Sequence, residues 1–178
     1  MGNISFFNNA PDPAIRKRIA QFRFELEKSR GKVLGNSFGK EVTVEQLPIS
    51  KGIAGVSMQL EPGVMRELHW HPDADEWQYA INGDVTVTMF GSHGRFRTEL
   101  LHAGDVGYIP QSYGHSIENV GSKPSRILIG FNSVIYESID LSAWIAGNPV
   151  DVLATNFNKP ESLIRTSPRK DVFIAPSE

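Results

Sequence analysis

The stretch RELHWHPDADEW, residues 66–77, concentrates imidazoles and carboxylates that could bind a metal ion. Successive side chains of a strand alternate between its two faces, so His69 and His71 point to the same side. Glu76 follows a Pro-Asp bend and begins the next strand, from which it can fold back towards both histidines. His115, which follows a proline-and-glycine turn, is the natural fourth ligand.

Three imidazoles and one carboxylate leave room for two further ligands on an octahedral ion. Such a set suits Mn²⁺ or Fe²⁺, although Zn²⁺, Ni²⁺ and Cu²⁺ bind comparable donors with higher intrinsic affinity. Open positions let the metal bind a substrate directly, which favours a catalytic centre over a structural one. Asp75 competes with Glu76 for the carboxylate role, but glutamate is longer, and we interpret Asp73 and Asp75 as turn formers. His93 and His102 lie in other turns, where a surface position is the simpler interpretation.

Composition limits the class of protein. The chain has 178 residues, which suits one domain, and its net charge of −2 does not indicate a nucleic-acid-binding protein. Cysteine is absent, which excludes disulfides and thiolate–metal chemistry. The N-terminus lacks the pattern of a secretory signal, and no window is apolar enough for a membrane span. We therefore expect a soluble, cytoplasmic, single-domain protein.

Residues 40–134 show only strand and turn patterns, at a spacing of about ten residues. The predicted strands are EVTVEQL (41–47), GIAGVSMQL (52–60), QYAIN (78–82), DVTVTMF (84–90), RFRTELL (95–101), GDVGYIP (104–110) and SRILIGF (125–131). The turn Asn82-Gly83-Asp84 predicts a hairpin between two of them. No helical pattern separates the strands, so the fold class is all-β, a sandwich or jelly roll.

The two ends of the chain differ from this middle part. LSAWIAG (141–147), VDVLATNF (150–157) and PESLIR (160–165) predict short helices, and the apolar end of the tail is expected to dock back on the domain. Residues 11–21 predict a short helix. FRFELE (22–27) alternates like a strand, although Phe22 and Leu26 also continue a helical stripe, and we favour the strand.

Longer spacing patterns surround the four candidate ligands. They read Gly63-x₅-His69-x-His71-x₄-Glu76-x₆-Gly83 and Gly104-x₅-Pro110-x₄-His115-x₃-Asn119. This double pattern resembles the two motifs of the cupin superfamily, with Ser112 at a turn position where glycine is usual. The resemblance implies a single cupin jelly-roll β-barrel (22–135), preceded by a partly helical N-terminal extension (1–21). A lid-like segment, C-terminal helices and tail (136–178) would follow.

Within that superfamily, residues 22–175 resemble oxalate decarboxylase, most closely the C-terminal of the two cupin domains of the bicupin enzymes. The segments that carry the resemblance are EVTVEQLPISKGIAGVSMQLEPGVMRELHWHPDADEW (41–77), GDVGYIPQSYGHSIEN (104–119) and WIAGNPVDVLATNF (144–157). The resemblance implies that Arg66 binds a carboxylate of oxalate beside Mn²⁺. Strand alternation alone places Arg66 on the face opposite His69, so a bulge, a twist or its long side chain must bring it round. Without the resemblance, an ion pair with Glu67 or Glu61 would be the simpler role.

The implied reaction is O₂-requiring cleavage of the oxalate C–C bond, and one positioned acid decides the product. A timely proton gives formate, whereas without it O₂ takes the electrons and yields a second CO₂ and hydrogen peroxide. The family's lid acid has no clear counterpart in FNSVIYESIDLSAW (131–144), and another family glutamate is replaced by Ile129. Glu137 is the candidate proton donor, unless it is a plain loop carboxylate, and Asp140 could cap the following helix.

Other functions stay open at this point. They are an oxalate oxidase, a non-catalytic metal-dependent binder of a small carboxylate, and another metal-dependent cupin activity such as an Fe²⁺ dioxygenase or an isomerase. The resemblance also implies a homo-oligomer, a trimer or hexamer, and an N-terminal strand exposing Phe22 and Phe24 would suit edge pairing. Trp70, Trp77 and Trp144 are expected to pack in the core or at an interface.

Overall fold

Antiparallel strands make up most of the protein, of which the computed structural model describes residues 20–176. The strands are β1 (Lys32–Leu34), β2 (Ser37–Val42), β3 (Ala54–Leu60), β4 (Met65–Trp70), β5 (Glu76–Asn82), β6 (Val85–Phe90), β7 (Phe96–Leu101), β8 (Val106–Ile109), β9 (Gly114–Asn119), β10 (Ser125–Phe131), β11 (Ile139–Asp140) and β12 (Ile174–Ala175). Three helices follow the main strands, α1 (Leu141–Gly147), α2 (Val150–Phe157) and α3 (Glu161–Ile164). The predicted helices near the C-terminus are confirmed.

The strands form two sheets that pack face to face as a jelly-roll sandwich. One sheet has the order β1-β2-β3-β10-β5-β8, and the other has the order β11-β4-β9-β6-β7 with β12 also on β4. Buried apolar side chains from both inner faces, such as Met58, Ile117 and Ile129, form the core. The all-β jelly roll is confirmed, but within residues 20–176 no strand pair joins the two sheets into the closed barrel that we expected.

The predicted strand at residues 22–27 is wrong. The chain is irregular there and forms a 3-10 turn at Leu26–Lys28, with Phe22 77% exposed. Glu25 pairs with Arg23 and Lys28, and Glu27 bonds Ser57 and Arg126, so side-chain contacts hold this segment instead of a partner strand. The predicted helix at 11–21 falls almost entirely on residues outside the described range.

The first predicted strand of the middle part is displaced towards the N-terminus. It ends at Val42 and not at Leu47, because Gln46 Oε1 accepts hydrogen bonds from the backbone N–H and the hydroxyl of Thr43. This contact turns the chain immediately after β2. Alternation along the sequence does not reveal such a side-chain cap.

The predicted hairpin at Asn82-Gly83-Asp84 is also wrong, although a tight turn is present. Strands β5 and β6 belong to different sheets, so the turn carries the chain across the sandwich. Gly83 has φ +78°, and an added Cβ would lie 2.3 Å from the Ser125 hydroxyl. Turn chemistry therefore predicts the change of direction but not which neighbour each strand pairs with.

The tail docks back on the domain, as predicted. Ile174 and Ala175 pair with Arg66 and Met65 at the edge of β4, and Ile174 is buried. β11 pairs with the other end of β4, at His69 and Trp70. Both C-terminal segments thus lie along the strand that carries the candidate site. Within residues 20–176, no helix has the length and apolarity needed to cross a membrane.

Candidate metal centre

The structure brings the four predicted metal ligands together on the inner faces of the sandwich. His69 on β4 and His115 on β9 are direct partners across the strand pair, His71 follows β4, and Glu76 begins β5. One donor atom from each residue lies within 4.8 Å of the others. All four are buried, with His115 0% and Glu76 1% exposed. The geometry is that of a preformed pocket for one ion.

Each imidazole is oriented by a backbone carbonyl. The Nδ1 atoms of His69 and His71 lie 2.7 Å from the carbonyl oxygens of Glu67 and Glu137, and Nδ1 of His115 lies 3.1 Å from that of Tyr113. A carbonyl can only accept, so each Nδ1 carries the hydrogen, and a neutral ring then has a bare lone pair at Nε2. All three rings are therefore set to coordinate through Nε2.

These lone pairs face a carboxylate. Glu76 Oε2 lies 2.9 Å from His71 Nε2 and 3.0 Å from His115 Nε2. Although the first distance is short, its geometry is not that of a hydrogen bond, and the buried His71 Nε2 has no hydrogen-bond partner among the described residues. His115 Nε2 is within hydrogen-bond distance of the same oxygen, so a proton or a metal ion must lie between them. With neutral rings, these facing acceptors need a cation, and the donor set fits a divalent metal.

The electrostatics of the cluster agree with this assignment. Burial lowers the pKa of His69 well below its usual value, and the repulsion that a protonated His115 and Arg66 would exert acts in the same direction. Burial opposes ionisation of Glu76, but His115 charge and the His115 and His71 contacts outweigh it and hold the pKa of Glu76 well below its usual range. A neutral imidazole beside an ionised carboxylate is the state that metal binding requires.

Gln78 is a member of the site that the sequence did not reveal. It lies two residues after Glu76 on the inner face of β5, is fully buried, and donates from Nε2 to Glu76 Oε1 at 2.8 Å. This bond leaves Glu76 Oε2 directed at the histidines. The two-residue spacing along a strand is the signal that could have identified it.

Arg66 reaches the inner face through a β-bulge. Arg66 pairs with Ile117 and His69 pairs with His115, so β4 advances three residues where β9 advances two. The extra residue reverses the alternation that would have pointed Arg66 away from His69. A bulge was one of the three alternatives, with a strand twist and the long side chain, that could bring Arg66 to the face of His69.

The guanidinium of Arg66 lies in a buried ion pair. Its Nη2 donates to Asp140 Oδ1 at 2.5 Å and to the Ser138 hydroxyl at 2.9 Å, and its Nη1 donates to the Phe173 carbonyl at 3.0 Å. The Phe173 ring lies 4.1 Å from the guanidinium carbon. Three of five N–H donors are thus used within the described residues, which leaves two for a ligand.

Asp140 takes this role in place of helix capping. Its side chain makes no capping hydrogen bond to α1. Instead, Glu67 accepts from the backbone N–H of Ser142 at 2.9 Å and from its hydroxyl at 2.8 Å. Burial opposes ionisation of Asp140, but the hydrogen bond and charge of Arg66 outweigh it and keep the pKa of this carboxyl below its usual value. The alternative role for Arg66, an ion pair with Glu67 or Glu61, is not formed, because Arg66 pairs with Asp140.

A cavity of about 440 Å³ opens beside the cluster. Arg66 and His71 both form part of its wall, which also includes apolar side chains such as Ile129 and Phe131 and charged ones such as Lys32 and Glu41. The remaining candidate ligands are buried and are not part of this wall. A small anion in this cavity could contact the arginine and approach the metal pocket from one side.

Glu137, the candidate proton donor, is placed differently from the ligands. Its side chain is exposed and is not part of the cavity wall, while its backbone carbonyl accepts from His71. Its backbone N–H donates to Asp73, and Asp75 accepts from the backbone of Gln111, so both aspartates shape the loop as predicted.

The remaining predictions concern surface residues. His93 and His102 are exposed, and His102 hydrogen-bonds Asp84 at 2.8 Å. Trp77 and Trp144 are 44% and 41% exposed, so neither is a core residue, and their predicted interface role stays a prediction.

Comparisons with known proteins agree with the geometry. The sequence matches the family described as Cupin over residues 27–162. Oxalate decarboxylase OxdC of Bacillus subtilis is 46% identical over 101 residues, which cover 57% of this chain and 26% of that protein. An oxalate decarboxylase of Arthroderma benhamiae is 39% identical over 124 residues, which cover 69% of this chain and 29% of that protein.

A solved structure of B. subtilis oxalate decarboxylase, studied for its Mn(II) centres, is similar with a TM-score of 0.82. The two are 31% identical in sequence, and the match covers 87% of this chain and 41% of that one. The chain therefore spans less than half the length of these relatives.

Proposed function

This chain belongs to the cupin family, and on that premise we propose that it is a Mn²⁺-dependent, oxalate decarboxylase-like enzyme that converts oxalate to CO₂ and formate. The observation that carries the proposal is the buried cluster of three carbonyl-anchored imidazoles and one carboxylate beside an arginine-lined cavity. Its relatives that are named oxalate decarboxylases point to the substrate.

The proposed roles follow from the contacts. His69, His71, Glu76 and His115 would hold Mn²⁺, which when bound supplies a Lewis acid and a one-electron redox partner. Arg66 would bind a carboxylate of the substrate, because a guanidinium is a fixed donor group that stays charged at any working pH. Asp140 and Ser138 hold that guanidinium in place. O₂ is proposed as the co-catalyst.

The stoichiometry of the two reactions shows that formate forms only if a proton reaches the retained carbon. Oxalate dianion and one proton give CO₂ and formate: the C–C bond breaks, and the retained carbon gains a C–H bond. Oxalate, O₂ and two protons give two CO₂ and hydrogen peroxide instead. The chain must therefore deliver a proton to carbon before O₂ accepts the electrons. Glu137 stays a predicted donor for this step.

An oxidase-like activity is the second candidate, and one observation favours it. The exposed Glu137 lies outside the cavity wall, and Ile129 occupies the wall where a family glutamate would stand. If no acid reaches the substrate in time, peroxide is the product. A non-catalytic carboxylate binder would use the same metal cluster and arginine but form neither product.

The assembly and location of the protein are further proposals. We propose a homo-oligomer, a trimer or hexamer, in the cytoplasm. Large apolar side chains exposed on one sheet, including Trp77, Tyr79 and Tyr108, support self-association. Because the chain matches only part of its longer relatives, the activity of those whole proteins is carried over as a proposal.

One assay separates these functions. The protein is loaded with Mn²⁺ and given oxalate with O₂ at about pH 4.5, close to the ordinary pKa of a glutamate. Formate, CO₂ and peroxide are followed together, and bound metal is measured on the same sample. Formate supports the decarboxylase, and peroxide with two CO₂ supports the oxidase. Metal-loaded protein that forms neither product would contradict both oxalate activities.

A further inference from the structure

The cavity beside the metal cluster has one carboxylate in its wall within the described residues, and it belongs to Glu41. Glu41 lies on β2, far in sequence from the histidine motifs. Along β2, Ser37 and Gly39 are buried on the inner face of the sheet, and alternation places Glu41 on that same face. Glu41 is nevertheless exposed, because the cavity that it lines is open to solvent.

Tyr136, which also lines the cavity, holds this carboxylate in place. Its hydroxyl donates to Glu41 Oε2 at 2.8 Å. The Tyr136 ring stacks on Phe131 with centroids 3.9 Å apart and meets the His71 ring edge-on at 5.4 Å. Tyr136 therefore contacts both Glu41 and the candidate metal ligand His71.

The surroundings suit a carboxyl group that gains and loses a proton. Glu41 is exposed to solvent, which can reprotonate it. The Tyr136 hydroxyl donates to Glu41 Oε2, which as a carboxylate oxygen accepts, so the contact orients the carboxylate. Arg30 and Lys32 also line the cavity, and they would attract an anionic substrate to this mouth.

We propose that Glu41 is a catalytic acid of this cavity and that Tyr136 is its positioning residue. The assignment rests on the proposed function. As the oxalate C–C bond breaks and CO₂ leaves, the electron pair that ends on the retained carbon takes the proton of the Glu41 carboxyl group, which forms formate. Water at the cavity mouth then returns a proton to Glu41, so the cycle balances without any additional reductant.

The first test is product partition. In Mn²⁺-loaded Glu41→Gln with oxalate and O₂, we expect the ratio of formate to peroxide to fall by at least about tenfold, because an amide cannot deliver the proton. Glu45→Gln removes an exposed carboxylate in the turn after β2, outside the cavity wall, and should keep the wild-type ratio. An unchanged ratio in Glu41→Gln, or loss of formate only in Glu137→Gln, would overturn the proposal.

Tyr136→Phe separates positioning from chemistry. It keeps the ring against His71 and Phe131 but removes the hydroxyl that holds Glu41. We expect the formate share to fall while the Mn²⁺ content and the KM for oxalate stay at the wild-type values. A Tyr136→Phe variant with the wild-type formate share would show that the hydrogen bond does not position the acid.

The second test does not depend on turnover. Oxalate binding to the Mn²⁺-loaded protein is measured by calorimetry under nitrogen, in two buffers of different ionisation enthalpy, at about pH 6, above the ordinary pKa of a glutamate. A dianion entering beside Glu41 should drive proton uptake by the wild type and by Glu45→Gln, but not by Glu41→Gln. Equal uptake in all three proteins would overturn the assignment. Glu41-dependent uptake in a protein that forms no formate would support the acid and reject the proposed reaction.

Discussion

A backbone carbonyl accepts a hydrogen bond from Nδ1 of each imidazole in the metal centre. These contacts favour the Nδ1–H tautomer, which leaves Nε2 able to bind an ion. Two of these carbonyls lie two residues from their own histidine, at Glu67 and Tyr113. The third belongs to Glu137, in the segment that follows the sandwich. Spacing in the sequence predicted the four ligands, but it could not predict a carbonyl that reaches His71 from 66 residues further along the chain.

His71→Ala should remove one ligand and leave the Glu76 carboxylate without its full set of partners. We expect Mn²⁺ content after dialysis to fall at least about tenfold, measured by elemental analysis. His102→Ala is the matched control, because that histidine is exposed and its side chain hydrogen-bonds only Asp84 among the described residues. Equal metal content in the two variants would exclude His71 as a ligand.

The sequence predicts the position of Arg66 only in part. Its inward position needed a bulge, and the structure has one, but its partner Asp140 lies 74 residues away and no local pattern indicates it. The two remain linked energetically, because a buried carboxylate that loses its cation is strongly destabilising. A change at Arg66 must therefore be tested for binding and for stability separately.

Arg66→Lys keeps a positive charge beside Asp140 but loses the planar set of donors. We expect the KM for oxalate to rise at least about tenfold, with a small change in the unfolding midpoint. Arg66→Met should lower the midpoint much more, because it leaves Asp140 buried and unpaired. Steady-state kinetics and thermal unfolding of both variants test this, and an unchanged KM in Arg66→Lys would contradict a substrate-binding role.

At the scale of elements, the bulge in β4 buries two consecutive residues and gives them separate tasks. Arg66 serves the cavity, whereas Glu67 joins the sandwich to the C-terminal segments. The Glu67 carboxylate accepts from Ser142 at the start of α1 and from the backbone N–H of Phe173 at 2.5 Å, just before β12. The Glu67 side chain therefore binds both the start of α1 and the C-terminal tail, whose Phe173 carbonyl accepts from Arg66.

Glu67→Gln should loosen this junction, because an amide NH₂ would face groups that are themselves donors. We expect a loss of about 2 kcal/mol in the free energy of unfolding, measured by urea denaturation. Hydrogen exchange should increase at α1 and β12 and stay unchanged in β3 and β10. Glu118→Gln, at an exposed position on β9, should be neutral. Equal stability of the two variants would show that Glu67 does not hold the C-terminal segments.

The turn before β9 contains Ser112, at the position where the second cupin motif usually has glycine. Ser112 has φ +68° and donates its backbone N–H to the His71 carbonyl at 2.8 Å. A non-glycine residue is strained in this conformation. Ser112→Gly should therefore raise the free energy of unfolding by about 0.5 to 1 kcal/mol, after allowing for the greater flexibility of glycine in the unfolded chain. Urea unfolding would test this, and Ser112→Ala should give no such gain.

Alternation of apolar and polar side chains predicts most strands of the sandwich but not how they pair. Strand patterns in the sequence located β3, β5, β6, β7, β8 and β10, although β7 buries only Leu101, but they did not predict β9. Alternation failed at Phe22–Glu27, where Glu25 pairs locally, Glu27 pairs with Arg126, and no partner strand is present in the described residues. It also misassigned β5 and β6, because a tight turn joins strands of one sheet or of two equally well. Pairing is decided by long-range contacts that a local pattern does not contain.

On the scale of the whole molecule, one sheet exposes a continuous apolar surface. Trp77 lies opposite Tyr108 across β5 and β8, and its ring stacks on Tyr79 with centroids 6.2 Å apart and planes within 5°. Leu128 of β10 pairs with Tyr79 and is also exposed. Aromatic side chains on this outer face cost free energy in water, which favours covering them with a second copy of the chain.

Trp77→Glu should weaken that association, because the new charge would be buried without a partner in the interface. We expect the wild type to show the mass of an oligomer in light scattering coupled to size exclusion, and the variant to show a smaller mass at the same concentration. Thr98→Glu places the same charge on the outer face of the other sheet, where Thr98 only bonds the Thr88 hydroxyl, and should keep the wild-type mass. Metal content should be unchanged in both variants, since neither residue contacts the cluster. A monomeric wild type, or equal masses for all three proteins, would contradict self-association through this surface.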